Sequence, residues 1–250
     1  MAILYVASEA AELEPFANQL TGLRKLKWPI DYAAEAIWNG RRMMLAAHGA
    51  GPKLSGQATE VAIRAVTAAE LSSSRLEGII SVGYCGALAG TLAEGQIVVA
   101  DSVLDVRTGT VFSCTPIISD RPCTTGQIAS QDSVALSTEE KSNLNQSGCI
   151  AVDMEAAGVA ARAEKAGLPF SCVKVVTDRA DESFGIDLNQ LRTTEGRMAR
   201  GKIGFYAITH PKHIPELMRL RRRAKDASGI LGEFLVNCRM QSDDKDVAAG

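Results

Sequence analysis

The chain has 250 residues, 46% of them hydrophobic and 22% charged, with a formal net charge of −2. That is enough apolar material for the core of one ordinary domain, and the charge balance gives no general attraction to nucleic acid. Six scattered cysteines, with no Cys-x-x-Cys pair and no neighbouring histidines, fit neither a disulfide framework nor a metal centre, and no apolar run reaches the roughly 20 residues that span a bilayer.

The opening residues, Met1-Ala2-Ile3-Leu4-Tyr5-Val6, lack the basic and full apolar regions of a signal peptide. The expectation is a cytoplasmic protein with reduced thiols and no cofactor. Ile3 to Ala7 predicts a short buried strand feeding a helix, with Ser8 as its cap and Glu12 in its first turns. Glu12 has two readings: an acid that favours the helix dipole, or a carboxylate facing a cleft at the strand's carboxyl end. Residues 27–38 predict a strand bent at Pro29, Asn39-Gly40 a hairpin turn, and Met43 to Ala47 a further strand. His48-Gly49-Ala50-Gly51 closes it, and Lys53 to Ser73 predicts an amphipathic helix of small residues. His48 is either a turn residue bonding backbone or a group that touches a ligand. Ile79 to Val82 predicts a buried strand ending in the turn Gly83-Tyr84-Cys85-Gly86-Ala87-Leu88, whose glycines let backbone N–H groups approach a ligand.

Gly95 to Val103 predicts another strand, residues 107–126 a loop with short strand pieces, and Gln127 to Asp132 a short strand. An apolar run, Cys149 to Val152, then leads into Asp153-Met154-Glu155. A helical pattern follows (Val159, Ala160, Ala163, Leu168), and a second apolar run, Phe170 to Val176, ends in Thr177-Asp178. This is strand, helix, strand, with a carboxylate at the carboxyl end of each strand, the edge where open α/β sheets bind ligands. Asp153 or Asp178 alone reads equally as a helix N-cap. Two acids together can divide the work of gripping polar groups and moving a proton. Ser183-Phe184-Gly185 predicts a loop, Ile186 to Ala207 a helix, and His213 to Val236 a final amphipathic helix. Its Arg219, Arg221, Arg222 and Arg223 suit either a solvated face or an anionic membrane surface. Gln241 to Gly250 predicts a disordered tail. No repeat or linker divides the chain, so one domain over residues 1–240 is expected.

Val152-Asp153-Met154-Glu155-Ala156-Ala157 and Val176-Thr177-Asp178-Arg179-Ala180-Asp181, at this spacing, resemble the nucleoside phosphorylase and nucleosidase superfamily. The most similar variants are the 5′-methylthioadenosine/S-adenosylhomocysteine nucleosidases and the hopanoid-associated phosphorylases. The resemblance implies an α/β, three-layer fold with a central mixed β-sheet flanked by helices. It implies an enzyme acting on a small nucleoside, assembled as a homodimer or higher homo-oligomer. Within that resemblance Asp178 protonates the purine base with Thr177 orienting it, Glu155 holds the ribose hydroxyls, and Glu12 orients or deprotonates water. Met154 packs on the ribose face, with Asp153 beside it. Tyr84, Cys85 and Gly86 line the nucleoside, the His48 turn lies against the ribose, and Phe184 caps the base.

Two departures bear on chemistry. Ser81 and Tyr84 stand where hexameric purine nucleoside phosphorylases carry an Arg and a Ser on phosphate. Without the guanidinium fork the nucleophile is water, or a phosphate held by Arg41, Arg42 or Lys53. Val134 stands where the nucleosidases stack an aromatic on adenine, which forfeits roughly 1 kcal/mol of ring packing. Lys165-Ala166-Gly167-Leu168-Pro169-Phe170 and His210-Pro211 resemble instead the hopanoid-associated branch, which acts on adenosine bearing a large apolar group. Three functions follow as expectations: hydrolysis of a 5′-substituted adenosine, phosphate-dependent adenine release, and nucleoside binding without catalysis.

Overall fold

The computed structural model describes residues 2–68, 75–193, 197 and 200–241. In chain order the strands are β1 (Ala2–Ala7), β2 (Thr21–Lys25), β3 (Tyr32–Trp38), β4 (Arg41–Ala47), β5 (Leu76–Ala87), β6 (Ile97–Asp105) and β7 (Val111–Ser113). They continue with β8 (Ile117–Ser119), β9 (Thr124–Ser130), β10 (Ala151–Asp153), β11 (Phe170–Asp178) and β12 (Cys238–Met240). A mixed ten-stranded sheet runs β10-β9-β6-β11-β5-β1-β4-β3-β2, with β7 on β6, while β8 and β12 pair separately. Every residue of β1 is buried, because it pairs in parallel with both β4 and β5 beneath helices on each face.

Those helices supply the outer layers. On one face α1 (Ala10–Ala17) and α6 (Ile214–Val236) bury Leu13, Phe16, Leu231 and Phe234 against Tyr5, Leu45 and Val82. On the other, α2 (Pro52–Thr67) and α4 (Ala156–Lys165) bury Ala58, Ala62, Val159 and Ala163 against Leu4, Val6 and Ile79. Small residues are needed there: a Cβ on Gly158 would lie 2.1 Å from the Pro52 carbonyl oxygen. The three-layer mixed α/β architecture is therefore as expected.

Several local expectations are corrected. The predicted turn at Gly83 to Leu88 is strand, since β5 runs on to Ala87 with Gly83 at φ 132°. β10, α4 and β11 form as predicted, yet the two strands are not parallel neighbours. β10 pairs antiparallel with β5, whereas β11 pairs parallel with it. The extra β10–β5 pairing closes β5, β11, β6, β9 and β10 into a ring. Further elements appear that the sequence pattern did not suggest, among them β2, β12, and α3 (Thr138–Asn145), whose Ser137 and Glu140 form a reciprocal capping box. The helix expected over 186–207 is instead α5 (Arg200–Thr209), preceded by turns in which the Asp187 carboxylate accepts the Asn189 and Gln190 N–H groups. Residues 69–73 of the expected second helix, 194–196 and 198–199, and 242–250 of the expected tail lie outside the described residues.

Candidate active site

The candidate site is built around the carboxyl-terminal half of β5. Gly86 pairs with Val152 of β10 on one side and Asp178 of β11 on the other. The acids at the ends of two oppositely directed strands therefore meet across one residue. A Cβ on Gly86 would stand 2.8 Å from Asp178 Oδ2, so only glycine leaves this carboxylate its place.

Asp178 is buried, with Thr177 Oγ1 3.0 Å from Oδ1 and Lys141 Nζ 2.6 Å from Oδ2. Burial raises its pKa above the usual carboxylate value, while Lys141 and then Thr177 oppose the rise. Lys141, in α3, is itself fully buried and also donates to the Arg179 and Glu182 carbonyls at 2.6 and 3.0 Å. Its Nζ lies 5.4 Å from the Phe184 ring centroid. The aromatic expected over the base thus sits beside Lys141, the ammonium that holds the acid.

A second ionic cluster sits beneath. Lys174, wholly buried in β11, lies 2.7 Å from Asp153 Oδ2 and 3.7 Å from Glu155 Oε2, and donates to the Val82 carbonyl at 3.2 Å. Burial works against its charge, but Asp153 and then Glu155 outweigh that and hold the ammonium protonated. Asp153 Oδ2 also accepts the Glu155 and Ala156 N–H groups, which fastens the entry to α4, whose N-cap is Glu155. The Asp153 side chain is wholly withdrawn from solvent beside Lys174. Glu155 accepts the Gly51 N–H at 3.1 Å, and Ser55 Oγ donates to its carbonyl at 3.0 Å. Burial raises its pKa against the pull of Lys174.

Glu12 is buried at the start of α1, accepting the Glu9 N–H at 2.8 Å and the Ser8 hydroxyl. Burial, then the Glu155 charge, push its pKa up to about 7. Gly83 makes the room: a Cβ there would lie 2.2 Å from Glu12 Oε2. The structure brings Glu12, Glu155 and Asp178 to the same region of β5.

The remaining expected residues divide. Met154 is half-buried. His48 Nδ1 accepts the Asp31 N–H at 3.2 Å and lies 3.3 Å from Arg197 Nη2, beside the turn whose Gly51 bonds Glu155. Val134 is held at both backbone groups by the Asn189 side chain, at 2.8 and 3.1 Å. Two further expected residues turn their side chains into the protein. The Cys85 thiol lies in the core under α2 and α4, where burial pushes its pKa up. The Tyr84 hydroxyl is turned to α6, 2.5 Å from Ser228 Oγ and 3.0 Å from the Ala224 carbonyl. Arg41 and Arg42 open β4 at the end opposite Ala47, where Arg42 pairs with Glu35; Lys53 is exposed in the first turn of α2. The sequence reading missed Lys141, Lys174, Arg192 and Arg197. Lys174 carried a signal, a lone cation inside an apolar strand, whereas Lys141 sits in a polar stretch and carried none.

Two cavities of about 320 Å³ open elsewhere, one lined by Gly95, Arg121, Cys123 and Ile230, the other by Tyr5, Trp38, Arg41 and Met240. Neither is lined by one of the three carboxylates.

The sequence model of the Phosphorylase superfamily matches residues 115–204. No curated protein matches the sequence. Solved structures with this fold include the 5′-methylthioadenosine/S-adenosylhomocysteine nucleosidase of Neisseria meningitidis, in complex with methylthio-immucillin-A (19% identity, TM-score 0.70, 94% of this chain and 97% of that one). The corresponding Helicobacter pylori nucleosidase (16%, 0.68, 94% and 96%) and the futalosine hydrolase of Helicobacter pylori (16%, 0.68, 94% and 95%) share it as well. The Phosphorylase superfamily match thus falls inside a fold that the chain shares with these nucleosidase and hydrolase structures over most of its length.

Proposed function

We propose that the protein hydrolyses the N-glycosidic bond of a purine nucleoside, with a 5′-substituted adenosine as the substrate class. The observation that carries this reading is the gathering of three buried carboxylates, Glu12, Glu155 and Asp178, each held by different partners. Asp178, kept towards its protonated form by burial, gives its proton to N7 so that the base leaves neutral. Glu155, fixed by the Gly51 N–H, accepts the ribose hydroxyls and favours the cationic centre that develops at C1′. Glu12 titrates near neutrality, as suits a general base, and takes a proton from water as the water oxygen bonds C1′ and the bond to the base breaks. The nucleosidase and futalosine hydrolase structures that share the fold support hydrolysis.

A second reading, phosphorolysis of the hopanoid-associated kind, draws on two arginines. Arg192 Nη2 lies 3.3 Å from the Ala50 carbonyl and Arg197 beside His48, both over the turn that bonds Glu155. Each already has an acid beside it, Asp132 and Asp31 respectively, which favours water. The deciding experiment measures adenine release from 5′-methylthioadenosine and adenosine, with and without inorganic phosphate. Equal rates in both conditions establish hydrolysis. Release only with phosphate transfers the nucleophile to phosphate, and tight binding without release supports a nucleoside-binding protein.

A further inference from the structure

Residues 200–226 contain eight lysines and arginines against two acids, a net +6 in a chain whose net charge is −2. The same stretch carries the three most exposed large apolar side chains among the described residues: Ile208 at 81%, Phe205 at 69% and Met218 at 59%. Phe205 and Ile208 lie one turn apart on α5, and Ile214 and Met218 one turn apart on α6. At helical spacing Arg221, Arg222 and Lys225 continue the exposed stripe of α6, while Ala227 and Leu231 lie in the core. A ring stack ties the two helices: Tyr206 lies 4.4 Å from the His210 ring, and its hydroxyl is 2.6 Å from His213 Nδ1.

The cations at this corner are of two kinds. Arg219 and Arg223 turn inward to Glu182, and Arg223 also to Glu94, so they fasten α6 to the rim of the candidate site. Lys212, Arg221, Arg222 and Lys225 pair with no acid among the described residues. An unpaired cationic stripe running into an exposed apolar tip matches the headgroup-over-acyl profile of an anionic lipid surface, where each basic side chain adds attraction and the apolar tip enters the interface. The alternatives fit less well. A second copy docked through the same face would set like charge against like. A nucleic acid would leave Ile208 and Met218 without partners. No described helix is long and apolar enough to cross a membrane, so the contact is peripheral.

We propose that the α5–α6 corner, with Phe205, Ile208 and Met218 at its apolar tip and Arg221, Arg222 and Lys225 behind it, docks on anionic membrane surfaces. Docking there sets the Glu182 rim of the candidate site beside the bilayer, because Arg219 and Arg223 connect the two.

The test is flotation of the full chain with vesicles of phosphatidylcholine alone and of an equal mixture of phosphatidylcholine and phosphatidylserine. The expected result is binding to the mixed vesicles alone, weakened by salt. Arg221→Gln with Arg222→Gln should weaken it roughly thirtyfold, by the loss of two interfacial cations. Ile208→Ser with Met218→Ser should abolish it while leaving the circular dichroism spectrum and Tm unchanged, since these side chains touch no core. Equal binding to both vesicles, no binding to either, or mixed-vesicle binding untouched by the serine pair would each overturn the proposal. Concentration-dependent dimerisation removed by the serine pair, without vesicle binding, would assign the face to a second copy.

Discussion

Lys141 Nζ lies 2.6 Å from Asp178 Oδ2, both side chains withdrawn from solvent, and the same ammonium holds the Arg179 and Glu182 carbonyls. An acid catalyst needs its proton, burial supplies the tendency to keep it, and Lys141 works against that tendency. Lys141 therefore limits how far into the alkaline range Asp178 stays protonated.

Replacing Lys141 by Met should move the alkaline limb of the kcat profile to higher pH, because Asp178 then keeps its proton longer. Lys141→Arg should restore the original limb. Two carbonyls lose a partner, so denaturant unfolding should show a loss of about 1–3 kcal/mol for each. A lysine that only braced the fold would lower stability without moving the limb.

Glu12 makes an opposite-sign prediction for stability. Its pKa in the folded chain, about 7, exceeds the ordinary 4.5, so its contribution is complete below the ordinary value and is lost as pH rises to about 7. Glu12→Gln does not titrate. It should match the parent near pH 4 and exceed it at pH 8 by on the order of 3 kcal/mol, read as Tm against pH. On the proposed reading the same variant should lose hydrolysis, and the parent should show an acid limb near pH 7. An unchanged limb in Glu12→Gln would remove Glu12 from the chemistry.

The two glycines of β5 predict separable defects. Gly83→Ala places a Cβ 2.2 Å from Glu12 Oε2 at a φ of 132° that L residues rarely adopt, so stability and kcat should both fall. Gly86→Ala has ordinary backbone but drives its Cβ to 2.8 Å from Asp178 Oδ2, which Lys141 and Thr177 hold in place. A displacement near an ångström is worth up to about 10²-fold in rate, so kcat should drop with little change in Tm. Steady-state kinetics beside thermal melts would distinguish the two.

Lys174 is the counter-ion of two acids in a dry interior, and its removal leaves both uncompensated. Lys174→Met should cost about 3–5 kcal/mol at neutral pH by urea unfolding. The deficit should narrow on acidification, as Glu155, whose pKa burial already raises, takes up its proton.

The candidate carboxylates were legible because they rest on residue types at fixed local spacing. Asp153-Met154-Glu155 and Thr177-Asp178 end apolar runs, and such runs form buried strands wherever they pair. Glu12 follows the first apolar run by a few residues, which places it in the helix that strand feeds. Tyr84 and Cys85 were misread as part of a turn, because glycine permits a turn but does not require one. Gly83 and Gly86 serve instead to admit two carboxylates beside a continuous strand.

By itself, then, the sequence determined the strand and helix segments that periodicity marks, the three carboxylates and the absence of an arginine before the β5 glycines. Those properties depend on neighbours a few residues apart. The tertiary structure alone decided that β10 and β11 run in opposite directions and meet at Gly86. It also decided that Lys141 arrives from α3, 37 residues away, to grip Asp178, and that Asp153 pairs with Lys174. Pairing register and ion-pair choice depend on which distant groups share a low-dielectric interior, and local spacing carries no record of that.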